Sequence, residues 1–300
     1  MNFLVISPQF PATNWNFCDR LKLNGINTLG IGHEPYEELR IEVRHALQDY
    51  IQIQQYQSYD AVLRAAAFFT YRYGRINGMD SFQESRLFLD ARLRTDFHVG
   101  CGSSLGMVQN FLDIGTRRAW AKQCGVSVAF ARRAVSLHNA VELLKRETIM
   151  KLYDARREQV YTFYDEQKLT EAFKTELQDC VILPQSVGSL YIWEALLDHT
   201  GIPRITASKC LDAVCLKHGY EQEKKELSAF AEEACVNLTG QTWSSSFLHM
   251  IVLKQQDSWE LLDVRIGADR CHLLNEKQDM YQLWADCMCE EMEYAGMQEK

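Results

Sequence analysis

The stretch ETIMKLYDARREQVYTF, residues 147–163, decides how this chain is read. A short apolar run with one lysine in it, Thr148-Ile149-Met150-Lys151-Leu152, leads into a loop, and a second β-rich run, Val160-Tyr161-Thr162-Phe163, leads out. Several folds hold a nucleotide phosphate with this layout, and their loops use glycine so that backbone N–H groups can approach the anion. Here the loop is Asp154-Ala155-Arg156-Arg157-Glu158-Gln159, without a glycine. It is either a phosphate cradle that works through side chains or the remnant of one.

Working outward, the pattern alternates strands and helices. On the C-terminal side come a helix at Glu166–Thr175 and a β-rich zone from Val181 to Leu211 with turns at Gly188 and Gly201. A helix from Lys224 to Val236 and a hairpin pattern at Phe247–Leu253 and Trp259–Val264 follow. Met280, Leu283, Trp284, Cys287, Met288 and Met292 then mark one face of a final amphipathic helix. On the N-terminal side lie a helix at Leu137–Arg146, a strand at Val126–Phe130 and a helix ending at Cys124-Gly125. The Gly/Ser-rich stretch Gly100–Gly106 is the expected boundary. Before it, strands at Phe3–Ile6 and Thr28–Gly32 and helices at Asn14–Leu23, Glu37–Asp49, Tyr59–Tyr73 and Ser81–Phe97 predict an open parallel sheet. Gly30-Ile31-Gly32 lacks the third glycine of a dinucleotide fingerprint and reads as a strand ending in a turn.

With 300 residues, 47% hydrophobic content and five prolines, the chain can bury a full core. A net charge of −8 argues against a general nucleic-acid binder, and no run of about 18 apolar residues suggests a membrane span. A cytoplasmic protein with ten cysteines, mostly reduced and buried, is the expectation. Cys271-His272 with Cys287 and Cys289 matches no zinc spacing, and Ser244-Ser245-Ser246 with His249 are too close in sequence for an ordinary nucleophile and base.

Taken in order, several stretches resemble the ATP-grasp superfamily, in particular bacterial proteins like the large subunit of carbamoyl-phosphate synthase. They are FLVISPQFP (3–11), LGIGHEPY (29–36), DARLRTDF (90–97), KQCGVSVA (122–129), GSLYIWEALLD (188–198) and DMYQLWAD (279–286). The resemblance implies a fold of α/β and α+β type: a pre-ATP-grasp open parallel sheet domain at 1–100, then an ATP-grasp-like clamp of two subdomains at 101–300. The small subdomain would occupy roughly 126–185. Members activate a carboxylate as an acylphosphate, which an amine or similar nucleophile displaces, and they use ATP and Mg²⁺.

That chemistry needs lysines on the phosphates, a glycine-rich cover, an acidic adenine hinge and carboxylates for the metal. Lys151 matches the lysine on the strand before the loop, while Ile114 or Gly115 falls where another lysine is expected, with Arg117 and Arg118 nearby. The hinge acids are replaced by Leu183-Pro184. Ile251 stands for the first metal glutamate, and Asp263-Val264-Arg265 for Glu-x-Asn, leaving Asp263 as the one candidate metal ligand. Candidate phosphate residues are Lys151, Arg156 and Arg157; Glu84, Asp90, Arg92 and Arg94 are candidates for a substrate pocket, and Asp90, Arg92 and Arg94 equally for a helix-end salt network. Two readings stand side by side. One is a degenerate protein that binds a partner, such as an active ATP-grasp relative, or a small anionic ligand; the other is a working ligase with displaced ligands.

Overall fold

A computed structural model of the chain describes residues 1–55, 58–133, 136–147, 149–175, 179–184, 188–211, 220–240, 243–256, 258–276 and 279–298. Its first part is an open, all-parallel sheet. Strands β1 (Asn2–Ile6), β2 (Asn27–Gly32), β3 (Asp49–Gln52) and β4 (Gly78–Asp80) lie in the order β3-β2-β1-β4. Helices α1 (Trp15–Leu23), α2 (Ile41–Ala46) and α3 (Tyr59–Tyr73) connect them. All five residues of β1 are buried, as a central parallel strand covered on both faces requires. Gly78 lies beside Phe3, and a Cβ there would come within 2.5 Å of the Phe3 ring. The glycines of Gly30-Ile31-Gly32 serve packing too, since Cβ atoms would run into Leu47 and Tyr50.

Two expectations in this part are corrected. The helix expected at Glu37–Asp49 is a 3₁₀ turn at Tyr36–Glu38 and the short α2, with Arg40 extended between them, and Asp49 opens β3. The helix expected from Ser81 starts at Leu87 as α4 (Leu87–Asp96), because Ser81 to Gln83 turn away from β4 with Phe82 at φ 59°.

After α5 (Leu105–Val108) and α6 (Ile114–Gln123) comes a small antiparallel sheet. It consists of β5 (Arg132–Arg133), β6 (Met150–Asp154), β7 (Gln159–Phe163) and β8 (Cys180–Leu183), in the order β5-β8-β6-β7. Helices α7 (Leu137–Glu147) and α8 (Glu166–Thr175) cover one face through Leu144, Leu152, Phe163 and Leu169. The strand expected at Val126–Phe130 reduces to a single bridge between Val128 and Leu261. A larger antiparallel sheet follows: β9 (Ser189–Leu197), β10 (Pro203–Cys210), β11 (Ser246–Gln255) and β12 (Ser258–Ile266), in the order β10-β9-β11-β12. Between its halves runs α9 (Tyr220–Thr239), whose Leu227, Ala231 and Leu238 pack on Trp193 and Met250.

Strand alternation gives the other face of the larger sheet three zones. Leu190, Ile251 and Leu253 meet the small sheet, while Leu196 and Phe247 meet the first sheet. Between these apolar zones the register sets Glu194, His249 and Arg265 side by side across β9, β11 and β12. The sequence thus draws one polar row across the place where all three sheets converge.

The last helix, α10 (Met280–Gln298), returns to the first sheet, and its Trp284 packs edge-on against Phe3, Phe17 and Phe82. Its buried Glu291 accepts the backbone N–H groups of Gly102 and Ser245 at 2.8 and 2.7 Å, which ties the glycine-rich stretch into the fold. No helix among the described residues is long and apolar enough to cross a membrane.

Candidate functional site

The three sheets leave a cleft of about 820 Å³. It is lined by the 84–88 and 108–113 segments, Arg156, Cys180 and the 3₁₀ turn Ala268–Arg270, and the Glu84 N–H donates to Asp269 of that turn at 3.0 Å. Its floor is a chain of alternating charges. Arg117, 2% exposed on α6, donates from Nε and Nη2 to the two oxygens of Asp263 at 2.7 and 3.1 Å. Its Nη2 also reaches Asp179 at 3.1 Å. Arg265 lies 3.4 Å from Asp263, 3.6 Å from Asp179 and 3.2 Å from Glu84. Arg270 continues the line, 2.7 Å from Glu84 and 3.9 Å from Glu158.

The line ends at the polar row. Glu158 lies 3.2 Å from His249 Nε2, and Glu194 lies 3.4 Å from Nδ1. Glu194 is itself anchored by the backbone N–H groups of His272, Leu273 and Leu274. From Arg117 to Glu194, cation and anion alternate across α6, three strands of the larger sheet and the loops and turns packed beside it.

The electrostatics follow from that order. Burial by itself would depress the Arg117 pKa, but Asp263 and Asp179 more than reverse this, so the guanidinium stays charged. Burial would likewise depress His249, yet its two glutamates raise it to about 9. Burial would raise Glu158, and His249, Arg270 and Arg265 together hold it low.

Glu158 belongs to the β6–β7 loop and adopts φ 56°, a left-handed conformation that side chains other than glycine seldom take. The loop is thereby latched to the larger sheet at His249. A histidine pKa raised above its ordinary 6.5 gives stability that is complete below pH 6.5 and is lost as the pH rises through about 9. The groups facing it are Glu158, Glu194 and, directly across on β12, Arg265. The gap in melting temperature between the wild type and His249→Gln is therefore expected to be constant up to pH 6.5 and to shrink towards pH 9 and above. A gap independent of pH would show that His249 is not charged.

Of the residues singled out in the sequence, Glu84 and Arg156 line the cleft, and Asp263 lies beneath it. Asp90 is buried away from the cleft, where it accepts the backbone N–H and hydroxyl of Ser81; its pKa is raised to about 6, first by burial and then by Asp80. Arg94 is a structural clamp, donating to the carbonyls of Met79 and Ser103. Arg92 is exposed and stacks on Tyr59, 3.9 Å from the ring centre. Arg157 turns away towards Asp154 at 3.7 Å. Lys151 is half-buried on β6, on the same strand face as Tyr153 and so turned towards the larger sheet. Sequence reading missed Asp179 and Arg270, which no local pattern marks.

Mg²⁺ does not fit these residues. Asp263 has both oxygens engaged by Arg117 and lies beside Arg265 as well, and the residue opposite it on β11 is Ile251. A divalent ion needs free carboxylate oxygens, whereas here guanidinium groups hold them. Among the described residues no group of three or more His, Cys, Asp or Glu side chains is arranged so that it could hold a metal ion. The small and larger sheets meet through one apolar cluster that includes Tyr153, Leu183, Leu190, Ile251, Leu253 and Leu262.

No family model and no curated protein matches the chain by sequence. Solved structures do match in fold. An L-amino acid ligase from Bacillus licheniformis superposes with a TM-score of 0.67 at 13% identity, over 96% of this chain and 74% of that one. A biotin carboxylase–β,γ-ATP complex from Campylobacter jejuni gives 0.65 at 11%, over 95% and 70%. Phosphoribosylglycinamide synthetase from Anaerococcus prevotii gives 0.60 at 12%, over 96% and 75%. The chain has the ATP-grasp fold, the mixed α/β architecture with parallel and antiparallel sheets that its sequence leads one to expect.

Proposed function

We propose that this protein is a pseudoenzyme of the ATP-grasp fold: it keeps the architecture of a carboxylate–amine ligase, does not activate carboxylates with ATP, and works by binding. One observation carries the reading. Asp263, the last carboxylate in the expected metal position, is 1% exposed and held by Arg117 and Arg265. Two fixed cations stand where catalysis would need a divalent one, and their charges repel it. The loss of glycine from the β6–β7 loop, the latch at Glu158 and the apolar contact between the small and larger sheets all point the same way. What it binds is a protein partner, such as an active ligase of the same fold, or a small anion.

The competing reading, an active ligase with unusual ligands, draws on Lys151 and its orientation towards the larger sheet. A lysine alone supplies neither the metal nor the cover that phosphoryl transfer uses. Incubation with ATP, Mg²⁺ and mixed amino acids and carboxylates is expected to form no ADP above the protein-free rate. ADP formation that depends on both Mg²⁺ and an added carboxylate would replace this reading with the competing one.

A further inference from the structure

Arg156 is the cleft's spare cation. Arg117, Arg265 and Arg270 are each committed to carboxylates of the chain, whereas Arg156 makes no ion pair among the described residues. It is exposed, and it lines the 820 Å³ cleft. Its backbone is held from three sides. The Arg156 N–H donates to Asp154 at 2.9 Å, its carbonyl accepts from Arg270 at 3.4 Å, and the neighbouring Ala155 N–H donates to the Asp179 carbonyl at 2.9 Å. Two residues on, Glu158 is latched to His249. The guanidinium therefore extends from a fixed point, which lowers the ordering cost of binding.

The same cleft is lined by Phe88 and Leu112, exposed apolar side chains at 48% and 65%, and by the buried Phe111 and Val108. The volume lies in the range of small-molecule sites, which pair an apolar wall with a few placed polar groups.

We propose that this cleft binds a small organic oxyanion, a carboxylate or a phosphate monoester on an apolar body, without any metal. Arg156 takes the oxyanion and the Phe88–Leu112 wall takes the body. The proposal rests on the reading above and assigns the site to Arg156, to the exclusion of Arg157, whose side chain turns to Asp154.

The test is calorimetric titration of the full chain in EDTA with phenylacetate and phenyl phosphate. Acetate, inorganic phosphate and neutral benzyl alcohol serve as controls lacking the body or the charge. At least one aromatic anion is expected to bind more tightly than its bodiless control and than benzyl alcohol, and which one binds separates a carboxylate ligand from a phosphate ligand. Arg156→Ala is expected to lower that affinity at least about tenfold, the scale of one charge-assisted fork, while Arg157→Ala leaves it unchanged. Arg156 is exposed, so the variant's melting temperature should match the wild type and rule out misfolding. Failure of both aromatic anions to bind at millimolar concentration, or equal binding by Arg156→Ala, overturns the assignment. If neither these anions nor Mg²⁺-ATP binds, the assignment fails and the pseudoenzyme reading stands; if Mg²⁺-ATP binds, the reading beneath it fails.

Discussion

Arg117→Ala is expected to destabilise the fold by about 3–5 kcal/mol, because removing one partner of a buried ion pair leaves the other charged and stranded. The stranded group is Asp263, 1% exposed and left with the Val264 N–H at 2.9 Å and Arg265 at 3.4 Å. Asp179, which Arg117 also holds, loses a donor at the same time. Arg265 would then have to serve Asp263, Asp179 and Glu84 together. Urea denaturation at pH 7 measures the loss. A double variant, Arg117→Met with Asp263→Leu, is expected to recover most of it, since apolar groups of similar volume can replace a buried pair with little net cost. A single-variant loss below about 1 kcal/mol, the middle of the range for ordinary point mutations, would mean that the pair is far better hydrated than its geometry indicates.

The second large effect is expected far from the cleft. Trp284→Ala should cost about 3–5 kcal/mol, the usual range for removing a buried aromatic ring. The indole meets Phe82, Phe17 and Phe3 edge-on, at centroid distances of 4.9, 5.0 and 5.6 Å, and so seals the last helix onto the first sheet. Thermal unfolding followed by near-UV circular dichroism reads the loss, and Trp284→Phe should restore part of it. Exposed Met297 on the same helix provides the control, where alanine should change little. Equal effects at 284 and 297 would contradict the packing of α10 on the first sheet.

How much of this was legible depends on whether a feature is specified locally. The lysine strand and its partner, the hairpin that became β11 and β12, and the final helix were readable because period 2 or 3.6 runs through each of them. Strands β3 and β4 were missed, being only four and three residues long. Asp-Tyr-Ile-Gln and Gly-Met-Asp carry almost no alternation of their own, and pairing with β2 and β1 makes them strands. At Glu37–Asp49 the helical periodicity was real but was cut by extended Arg40.

The site divides in the same way. The glycine-free loop, the surviving Lys151 and the Asp263-Val264-Arg265 triplet could be read from the sequence, since each lies in a single element. The partners of Asp263 and Arg265 could not. Arg117 and Asp263 are 146 residues apart, and Arg265 and Glu84 are 181 apart. Nothing local distinguishes Asp179 or Arg270 from a solvated surface charge until three sheets bring them together. For the same reason Arg156 and Arg157 looked equivalent in the sequence, and only the fold turns one into the cleft and the other onto Asp154.

The central claim, that arginines have taken the place of the metal centre, is tested most directly by the melting temperature in millimolar ATP or ADP, each with Mg²⁺ and with EDTA. A ligand at 100 times its dissociation constant would add about 2.7 kcal/mol to folding stability and give a clear rise. The account predicts no Mg²⁺-dependent rise with either nucleotide, and the same result for Lys151→Ala. A rise that requires Mg²⁺ and disappears in Lys151→Ala would contradict it, because the cleft would then hold a metal–nucleotide complex despite its arginines.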